Sequence, residues 1–175
     1  MAKPSEYYSG IRTEMLKYIP LQATKILEVG CGEGNFGAAL KKKNVEVWGI
    51  EYSQQEAKIA ETKLDKVFAG DIMLHLDQLP ENYFDVIVCN DVLEHLIDPY
   101  TVLDKFRSKL TTAGIVVSSI PNIRFFRSLY DFVFNKNWDY TDNGIMDKTH
   151  YRFFTVNSIR KMYENTGYEV LLHEG

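Results

Sequence analysis

The sequence predicts an α/β fold: a Rossmann-like, doubly wound and mostly parallel sheet with helices on both faces. Segments of strand character alternate with segments of helical periodicity along the chain. The strand segments are short and continuously apolar, which is typical of strands that a parallel sheet buries on both faces. The length of 175 residues matches one domain of this class.

Each element follows from local periodicity and from the residues that begin or end it. Apolar residues at helical spacing predict a first helix over residues 7–19, which Pro20 ends. The strands are predicted at residues 25–29, 45–50, 67–69, 84–89, 115–120 and 168–172. The other helices are predicted at residues 35–43, 53–64 with Ser53 as N-cap, 98–110 with Asp98 before Pro99, 123–134, and 155–166 with Thr155 as cap. Residues 135–150 are polar and are predicted to form an irregular functional loop.

Composition and charge argue against several classes of partner. A net charge of −4 gives no electrostatic footprint for nucleic acid. Residues 1–6 lack the apolar core of a signal peptide, and no apolar run approaches the roughly 20 residues that cross a bilayer. Cys31 and Cys89 do not suggest a disulfide framework. We therefore expect a cytoplasmic protein with no nucleic-acid and no membrane partner.

A glycine-rich turn after the first strand is the strongest signal in the chain. Gly30, Gly32 and Gly34 stand at every second position between a strand and a helix, where the chain turns sharply and a ligand can approach the backbone. Dinucleotide-binding domains use G-x-G-x-x-G, and this chain has Asn35 where that pattern needs its third glycine. The spacing in this chain is G-x-G-x-G instead.

Residues 26–35, with Glu28 two positions before the first glycine, resemble the first motif of class I S-adenosylmethionine-dependent methyltransferases. The resemblance implies that Glu51, at the end of the second strand, accepts hydrogen bonds from both ribose hydroxyls of the methyl donor. A dinucleotide fold would also place an acid there. The resemblance further implies that Asp71 meets the adenine amino group and that Ile72 packs on the adenine ring.

Residues 84–99 are similar to the matching stretch of ubiquinone-type O-methyltransferases and their small-molecule relatives. Since ligands of open α/β sheets lie outside the carboxyl ends of the strands, the residues after the fourth strand should face the donor or the acceptor. The set that the resemblance implies for S-adenosyl-L-methionine, and for its product S-adenosyl-L-homocysteine, is Glu28, Gly30, Cys31, Gly32, Gly34, Asn35, Glu51, Tyr52, Asp71, Ile72, Asn90, Asp91 and Val92.

On this resemblance the chain is one methyltransferase domain with four parts. We expect an N-terminal helix in residues 1–22, a cofactor-binding core in 23–120, a substrate lid and pocket in 121–155, and a last helix and strand in 156–175. The family sheet has seven strands, the last antiparallel, whereas six are predicted here. We therefore expect the final strand to be missing and the chain to be C-terminally truncated. Open sheet edges favour association, so a homodimer is one expected state.

His95 and His150 are the predicted catalytic residues. A hydroxyl acceptor needs a base, and an unperturbed imidazole titrates near neutrality. In the small-RNA 2′-O-methyltransferases of the same superfamily, an E-x-x-E-H motif and a later histidine hold a divalent ion. This chain has Asp91 where that motif begins with glutamate, and Glu94 and His95 complete it. We assign no metal to the site.

The segment from residue 125 to 150 is predicted to form the lid and acceptor pocket. Its aromatic residues are Phe125, Phe126, Tyr130, Phe132, Phe134, Trp138 and Tyr140. Arg124, Arg127 and Arg152 could hold a phosphate or carboxylate of the acceptor. Tyr7, Tyr8 and Arg12, on the predicted first helix, are expected to close over the donor.

Three functions are compatible with these observations. The first is methyl transfer from S-adenosylmethionine to a small-molecule acceptor, with an oxygen nucleophile of a metabolite or sugar-linked compound expected. The second is an NAD(P)-binding oxidoreductase, which Asn35 disfavours. The third is a non-catalytic S-adenosylmethionine-binding module, which would bind the donor tightly and transfer no methyl group.

Overall fold

The computed structural model describes residues 11–41 and 45–174. These residues form two compact units. The first takes in the described residues up to Asn90 together with Lys105–Ser119, and the second takes in Asp91–Asp104 together with the described residues from Ile120 onward. None of the helices among the described residues is long and apolar enough to span a bilayer.

The first unit contains a five-stranded sheet in which every neighbouring pair of strands is parallel. Its strands are β1 (Lys25–Val29), β2 (Glu46–Glu51), β3 (Lys66–Ala69), β4 (Phe84–Asn90) and β5 (Leu110–Ser119). The spatial order is β3-β2-β1-β4-β5. In the ladders of the central strand, Val29 is paired with Ile50 on one side and with Cys89 on the other.

Helices alternate with the strands as far as β5, as a doubly wound fold requires, and two further helices follow β5 in the chain. They are α1 (Asn35–Lys41), α2 (Gln54–Ala60), α3 (Ile72–His75), α4 (Pro99–Lys109), α5 (Phe126–Val133) and α6 (Val156–Asn165). The chain moves from β1 through β3 in one direction and then from β4 to β5 in the other. Right-handed crossovers therefore place α1 and α2 on the same face of the sheet. The predicted fold class is confirmed.

Three predicted helix starts coincide with the observed ones. Ser53 is the N-cap residue of α2, although its side chain makes no capping bond to the backbone. Asp98 Oδ1 accepts hydrogen bonds from the backbone N–H groups of Tyr100 (3.1 Å) and Thr101 (3.2 Å), and so caps α4. Thr155 forms a reciprocal capping box with Ser158 at the start of α6. Two helices are shorter than predicted: α2 ends at Ala60, and α5 covers only Phe126–Val133.

The predicted first helix is only partly within the described residues. Residues 7–10 lie outside them, and with them Tyr7 and Tyr8. The remainder is a 3₁₀ helix, Thr13–Tyr18, and not an α-helix. It buries Met15 and stops before Pro20, whose ring cannot continue a helix.

The predicted sixth strand at residues 168–172 is wrong. Among the described residues, this segment joins no ladder, and the sheet has five strands. Alternating apolar residues are compatible with a strand, but a strand forms only when its backbone hydrogen-bonds to a neighbouring strand. Here the first residue of the segment is bound in another way: the Tyr168 backbone N–H donates to the Tyr163 carbonyl (3.0 Å) and its hydroxyl donates to the Leu103 carbonyl (2.7 Å). Leu171 and Leu172 are exposed.

The core of the first unit explains the continuous apolar runs of its strands. Ile26 and Leu27 are consecutive in β1 and both are fully buried, so both faces of the sheet are covered. The second unit has its own buried residues, including Phe154, Ile159 and Met162 around α6. Within it, Asn122 and Phe154 form an isolated parallel bridge.

Candidate functional site

Most of the residues implied for donor binding lie in the first unit, at or near the carboxyl ends of its strands, whereas Asp91 and Val92 belong to the second unit. Because all five strands are parallel, their carboxyl ends meet at the same edge of the sheet. The glycine turn follows β1, Glu51 ends β2, Asp71 follows β3 after one residue, and Asn90 ends β4. The sheet order reverses direction between β1 and β4, and this is where open α/β sheets bind ligands.

The glycine turn has a backbone that side chains disfavour. Gly30, Gly32 and Gly34 have φ values of 67°, 52° and 75°, all in the left-handed region. A Cβ atom on Gly34 would also lie 3.1 Å from Ala60 Cβ and 3.1 Å from Leu64 Cγ. The three glycines therefore allow the conformation of the turn, and Gly34 also allows the turn to pack closely against Ala60 and Leu64.

Glu51 is tied to the glycine turn and to the start of α2. Its Oε2 accepts a hydrogen bond from Gly32 N–H (2.8 Å), and its Oε1 accepts one from Ser53 N–H (2.8 Å). The residue is 5% exposed, and burial raises the pKa of its carboxyl group. Each carboxylate oxygen can accept more than one hydrogen bond. The carboxylate is thus held rigidly and can still accept from two hydroxyls of a ligand.

Glu28 has a different environment, behind the turn. It is 3% exposed, and its Oε2 accepts a hydrogen bond from the Gly37 N–H of α1 (3.0 Å). Burial raises the pKa of this carboxyl group to about 8, and the negative charge of Glu51 adds to the effect. Glu28 therefore ties β1 to α1 and carries its proton well above the pH at which an exposed glutamate loses it.

The raised pKa of Glu28 makes stability depend on pH. The folded chain holds the proton up to about pH 8, whereas the ordinary value is 4.5, so the folded state binds more protons between these two values. The free energy of unfolding should therefore fall as pH rises from 4.5 towards 8. We expect Glu28→Gln to abolish this pH-dependent loss of stability. At pH 9 its free energy of unfolding should exceed that of the wild type by roughly a few kcal/mol. Urea unfolding of both proteins from roughly pH 5 to pH 9 measures this free energy.

Glu61→Gln is the matched control for this prediction, since Glu61 is an exposed glutamate of the same unit. It should leave the pH profile unchanged. A wild-type stability that does not fall over this range, or a Glu28→Gln profile parallel to the wild type, would contradict the assignment.

Asp71 and Ile72 begin α3. Asp71 is exposed, and its Oδ1 caps the helix by accepting from Met73 N–H (2.8 Å). Ile72 is buried, whereas Tyr52, next to Glu51, is 77% exposed. The contacts of these three residues with adenine and ribose stay predictions.

Cys31 and Asn35 flank the centre of the turn. The Cys31 thiol is buried and free. Asn35 starts α1, and its Oδ1 accepts from Lys63 Nζ (2.7 Å).

Arg12, expected to close over the donor, donates to Ser119 Oγ (2.9 Å) and pairs with Glu14 (2.5 Å).

The Asn90 side chain ends β4 with an amide whose hydrogen-bonding groups suit a polar ligand. Its side-chain Oδ1 and Nδ2 are both buried, and neither has a hydrogen-bond partner among the described residues. A buried polar group without a partner costs about 1–3 kcal/mol. An amide left in this state at the end of β4 fits a polar ligand that completes its hydrogen bonds. The glycine turn, Glu51 and Asn90 therefore suit the donor that the sequence implied.

The second unit begins with the residues that follow β4 in the chain. Asp91 has a φ of 53°, which is unusual for a residue with a side chain, and Val92 precedes a 3₁₀ turn at Leu93–His95. Donor atoms of Glu94, His95 and His150 lie within 4.8 Å of one another. Asp91 is not part of this group. The three could hold a divalent ion, since carboxylate and imidazole are common ligands.

The hydrogen bonds of the two histidines fix where each carries its proton. His95 Nδ1 lies 3.1 Å from the Thr149 carbonyl, and His150 Nδ1 lies 3.0 Å from the Ile145 carbonyl. A carbonyl only accepts, so Nδ1 is the protonated nitrogen of each neutral ring and Nε2 carries the lone pair. Nε2 of His150 lies 4.0 Å from Glu94 Oε1. The rings meet edge to face, with centroids 4.6 Å apart.

The predicted lid contains a cavity of about 540 Å³. Phe125, Arg127 and Trp138 are among the residues that line it. None of the residues of α5 is buried, and its aromatic side chains are exposed. Of the predicted acceptor-binding arginines, Arg152 is engaged elsewhere: it donates to the Ile97 carbonyl (2.5 Å).

A family model described as a methyltransferase domain matches residues 3–173. The chain belongs to this family. The resemblance to class I S-adenosylmethionine-dependent methyltransferases is confirmed, and the oxidoreductase alternative is not supported.

Several individual proteins resemble this methyltransferase domain. The ubiquinone biosynthesis O-methyltransferase of Vibrio atlanticus is 29% identical over 150 residues, which is 81% of this chain and 62% of that protein. The enzyme of the same name from Xylella fastidiosa is 30% identical over 67% of this chain and 51% of its own length. The domain thus spans about half to three-fifths of these two relatives.

Solved structures share the fold. A SAM-dependent methyltransferase from Archaeoglobus fulgidus superposes with a TM-score of 0.74 at 25% identity, covering 94% of this chain and 72% of that one. A Thermotoga maritima methyltransferase, a possible histamine N-methyltransferase, has a TM-score of 0.68 at 21% identity over 90% of this chain and 69% of its own.

Proposed function

We propose that this methyltransferase domain transfers a methyl group from S-adenosylmethionine to an oxygen nucleophile of a small-molecule acceptor, a metabolite or a sugar-linked compound. The observation that carries the proposal is the carboxyl edge of the sheet, where Glu51 is fixed against the glycine turn while the Asn90 amide is buried without a partner among the described residues. The names of the relatives support the donor and an oxygen acceptor.

Three groups of the first unit would hold the donor, which supplies a methyl group already activated on a sulfonium. Glu51 offers carboxylate oxygens to the ribose hydroxyls, since Gly32 and Ser53 already fix its orientation. The Asp71 carboxylate would accept from the adenine amino group, as the family resemblance implies. The Asn90 amide can donate and accept, which suits the amino-acid end of the donor.

His95 and His150 would act on the acceptor. The hydroxyl has to lose its proton as it attacks, and a positioned imidazole with its lone pair on Nε2 accepts that proton. The hydrogen bonds of both rings leave them in this form. Holding the acceptor in line with the methyl group supplies the rest of the rate, by proximity.

The cavity in the second unit supports a small acceptor. Its aromatic lining from Phe125 and Trp138 suits a planar or sugar-like group, and the Arg127 guanidinium could pair with a carboxylate or phosphate. Its volume lies within the range of small-molecule sites.

The test has two stages. Isothermal titration calorimetry with S-adenosylmethionine, S-adenosylhomocysteine and NAD should show binding of the first two and none of the third. Transfer of a labelled methyl group to a panel of phenols, sugars and amines should then occur on hydroxyl acceptors. A folded chain that binds neither adenosyl compound contradicts the proposal, and tight binding without transfer to any acceptor favours a non-catalytic binding module.

A further inference from the structure

Asp147 is a buried carboxylate in the irregular loop that neither donor binding nor proton transfer, as described above, uses. It is 1% exposed. Its Oδ1 accepts two hydrogen bonds from one residue, from Thr149 N–H (2.8 Å) and from Thr149 Oγ1 (2.7 Å). Aspartate side chains commonly bind the chain two residues on in this way. The result is that both the backbone and the hydroxyl of Thr149 have fixed directions.

Thr149 in turn faces His95 with two oxygen atoms. Its carbonyl oxygen lies 3.1 Å from His95 Nδ1, and its Oγ1 lies 3.2 Å from the same atom. A hydroxyl has one proton, and an ionised carboxylate can only accept. Because the Thr149 proton goes to Asp147, Oγ1 can only accept from the imidazole, as the carbonyl does. The nitrogen between these two acceptors has to carry the ring proton.

We propose that Asp147 is a positioning residue for His95. By taking the Thr149 hydroxyl proton, it keeps His95 in the Nδ1–H tautomer, with the lone pair on Nε2 as a general base requires. Without this carboxylate, the Thr149 hydroxyl can rotate and donate to Nδ1, in competition with the Thr149 carbonyl, which accepts from Nδ1–H. The ring proton is then shared between Nδ1 and Nε2. This inference rests on the proposed function, in which His95 accepts the acceptor's proton.

His150 provides an internal comparison. Its Nδ1 lies 3.0 Å from the Ile145 carbonyl oxygen. A carbonyl oxygen can accept a hydrogen bond but cannot donate one. The tautomer of His150 should therefore not depend on Asp147.

The experiment is nitrogen NMR on the full chain labelled with ¹⁵N-histidine, at a pH where the rings are neutral, with His95→Asn to assign the signals. In the wild type, Nδ1 of His95 should show the shift of a protonated nitrogen and Nε2 that of an unprotonated one. In Asp147→Ala and in the shape-preserving Asp147→Leu, the two His95 shifts should converge or exchange, while those of His150 stay. Adding Thr149→Val to Asp147→Ala should restore the wild-type pattern, because no hydroxyl donor then remains.

Asp142→Asn is the matched control, since Asp142 is an exposed carboxylate of the same loop that pairs with Lys148. It should change neither histidine. The proposal is overturned if wild-type His95 carries its proton on Nε2, or if folded Asp147→Ala and Asp147→Leu both keep the Nδ1–H form. The spectra are recorded without the methyl donor and without the methyl acceptor. Their outcome is therefore independent of the test of the proposed function, which is calorimetry with S-adenosylmethionine.

Discussion

His95→Asn should lower the rate of methyl transfer by about 10²–10⁴-fold, the range for loss of a general acid–base group. Its affinity for S-adenosylmethionine should not change, because His95 lies outside the set implied for donor binding. Asparagine keeps a polar side chain of similar reach but cannot accept the hydroxyl proton. Single-turnover transfer of labelled methyl and donor calorimetry on the same sample measure the two quantities.

His75→Gln is the control for this prediction. His75 belongs to α3 in the first unit, and its Nε2 is hydrogen-bonded to the Ala69 carbonyl (3.1 Å). Its replacement should leave transfer intact. His150→Asn tests the second candidate base, and the variant with the larger loss identifies the group that takes the proton. Full transfer by both folded histidine variants would exclude imidazole as the base.

Glu51→Ala should weaken donor binding by roughly 10²–10⁴-fold. Two hydrogen bonds from ribose hydroxyls to a carboxylate are lost, each worth about 1.5–3 kcal/mol, and about 1.4 kcal/mol corresponds to tenfold in affinity. Glu51→Gln keeps the side-chain length and should weaken binding less. Since burial raises the pKa of this carboxyl group, donor affinity of the wild type should also fall as the solution is acidified towards that pKa.

Glu61→Gln removes one exposed negative charge from the same unit and should leave the donor affinity unchanged. Calorimetry with S-adenosylhomocysteine as a second ligand separates ribose recognition from any effect on the methyl group. A folded Glu51→Ala chain that binds either ligand as tightly as the wild type would rule out ribose recognition by this residue.

The parts of the fold that local signals determine were predictable from the sequence. The first strand occurs at the predicted residues, and Ser53, Asp98 and Thr155 each begin a helix. Capping residues and apolar periodicity act within a few residues of the chain, so they can be recognised without knowing the neighbours.

The elements that depend on distant neighbours were not predictable in the same way. Residues 168–172 have the composition of a strand, but no other strand among the described residues pairs with them. The link from Thr149 to His95 joins residues 54 positions apart. The spacing of Asp147, Thr149 and His150 suggests a local turn, yet only the folded chain shows which ring that turn faces.

The packing of the glycine turn also determines how its sulfur atom behaves. A Cβ atom on Gly49 of β2 would lie 2.7 Å from Cys31 Sγ, so the thiol is pressed against the backbone of the neighbouring strand. Burial raises the pKa of this thiol, and the reactive form of cysteine is the thiolate. We therefore expect the thiol of the glycine turn to react slowly with oxidants and alkylating agents. The cysteine acts there as a small apolar side chain.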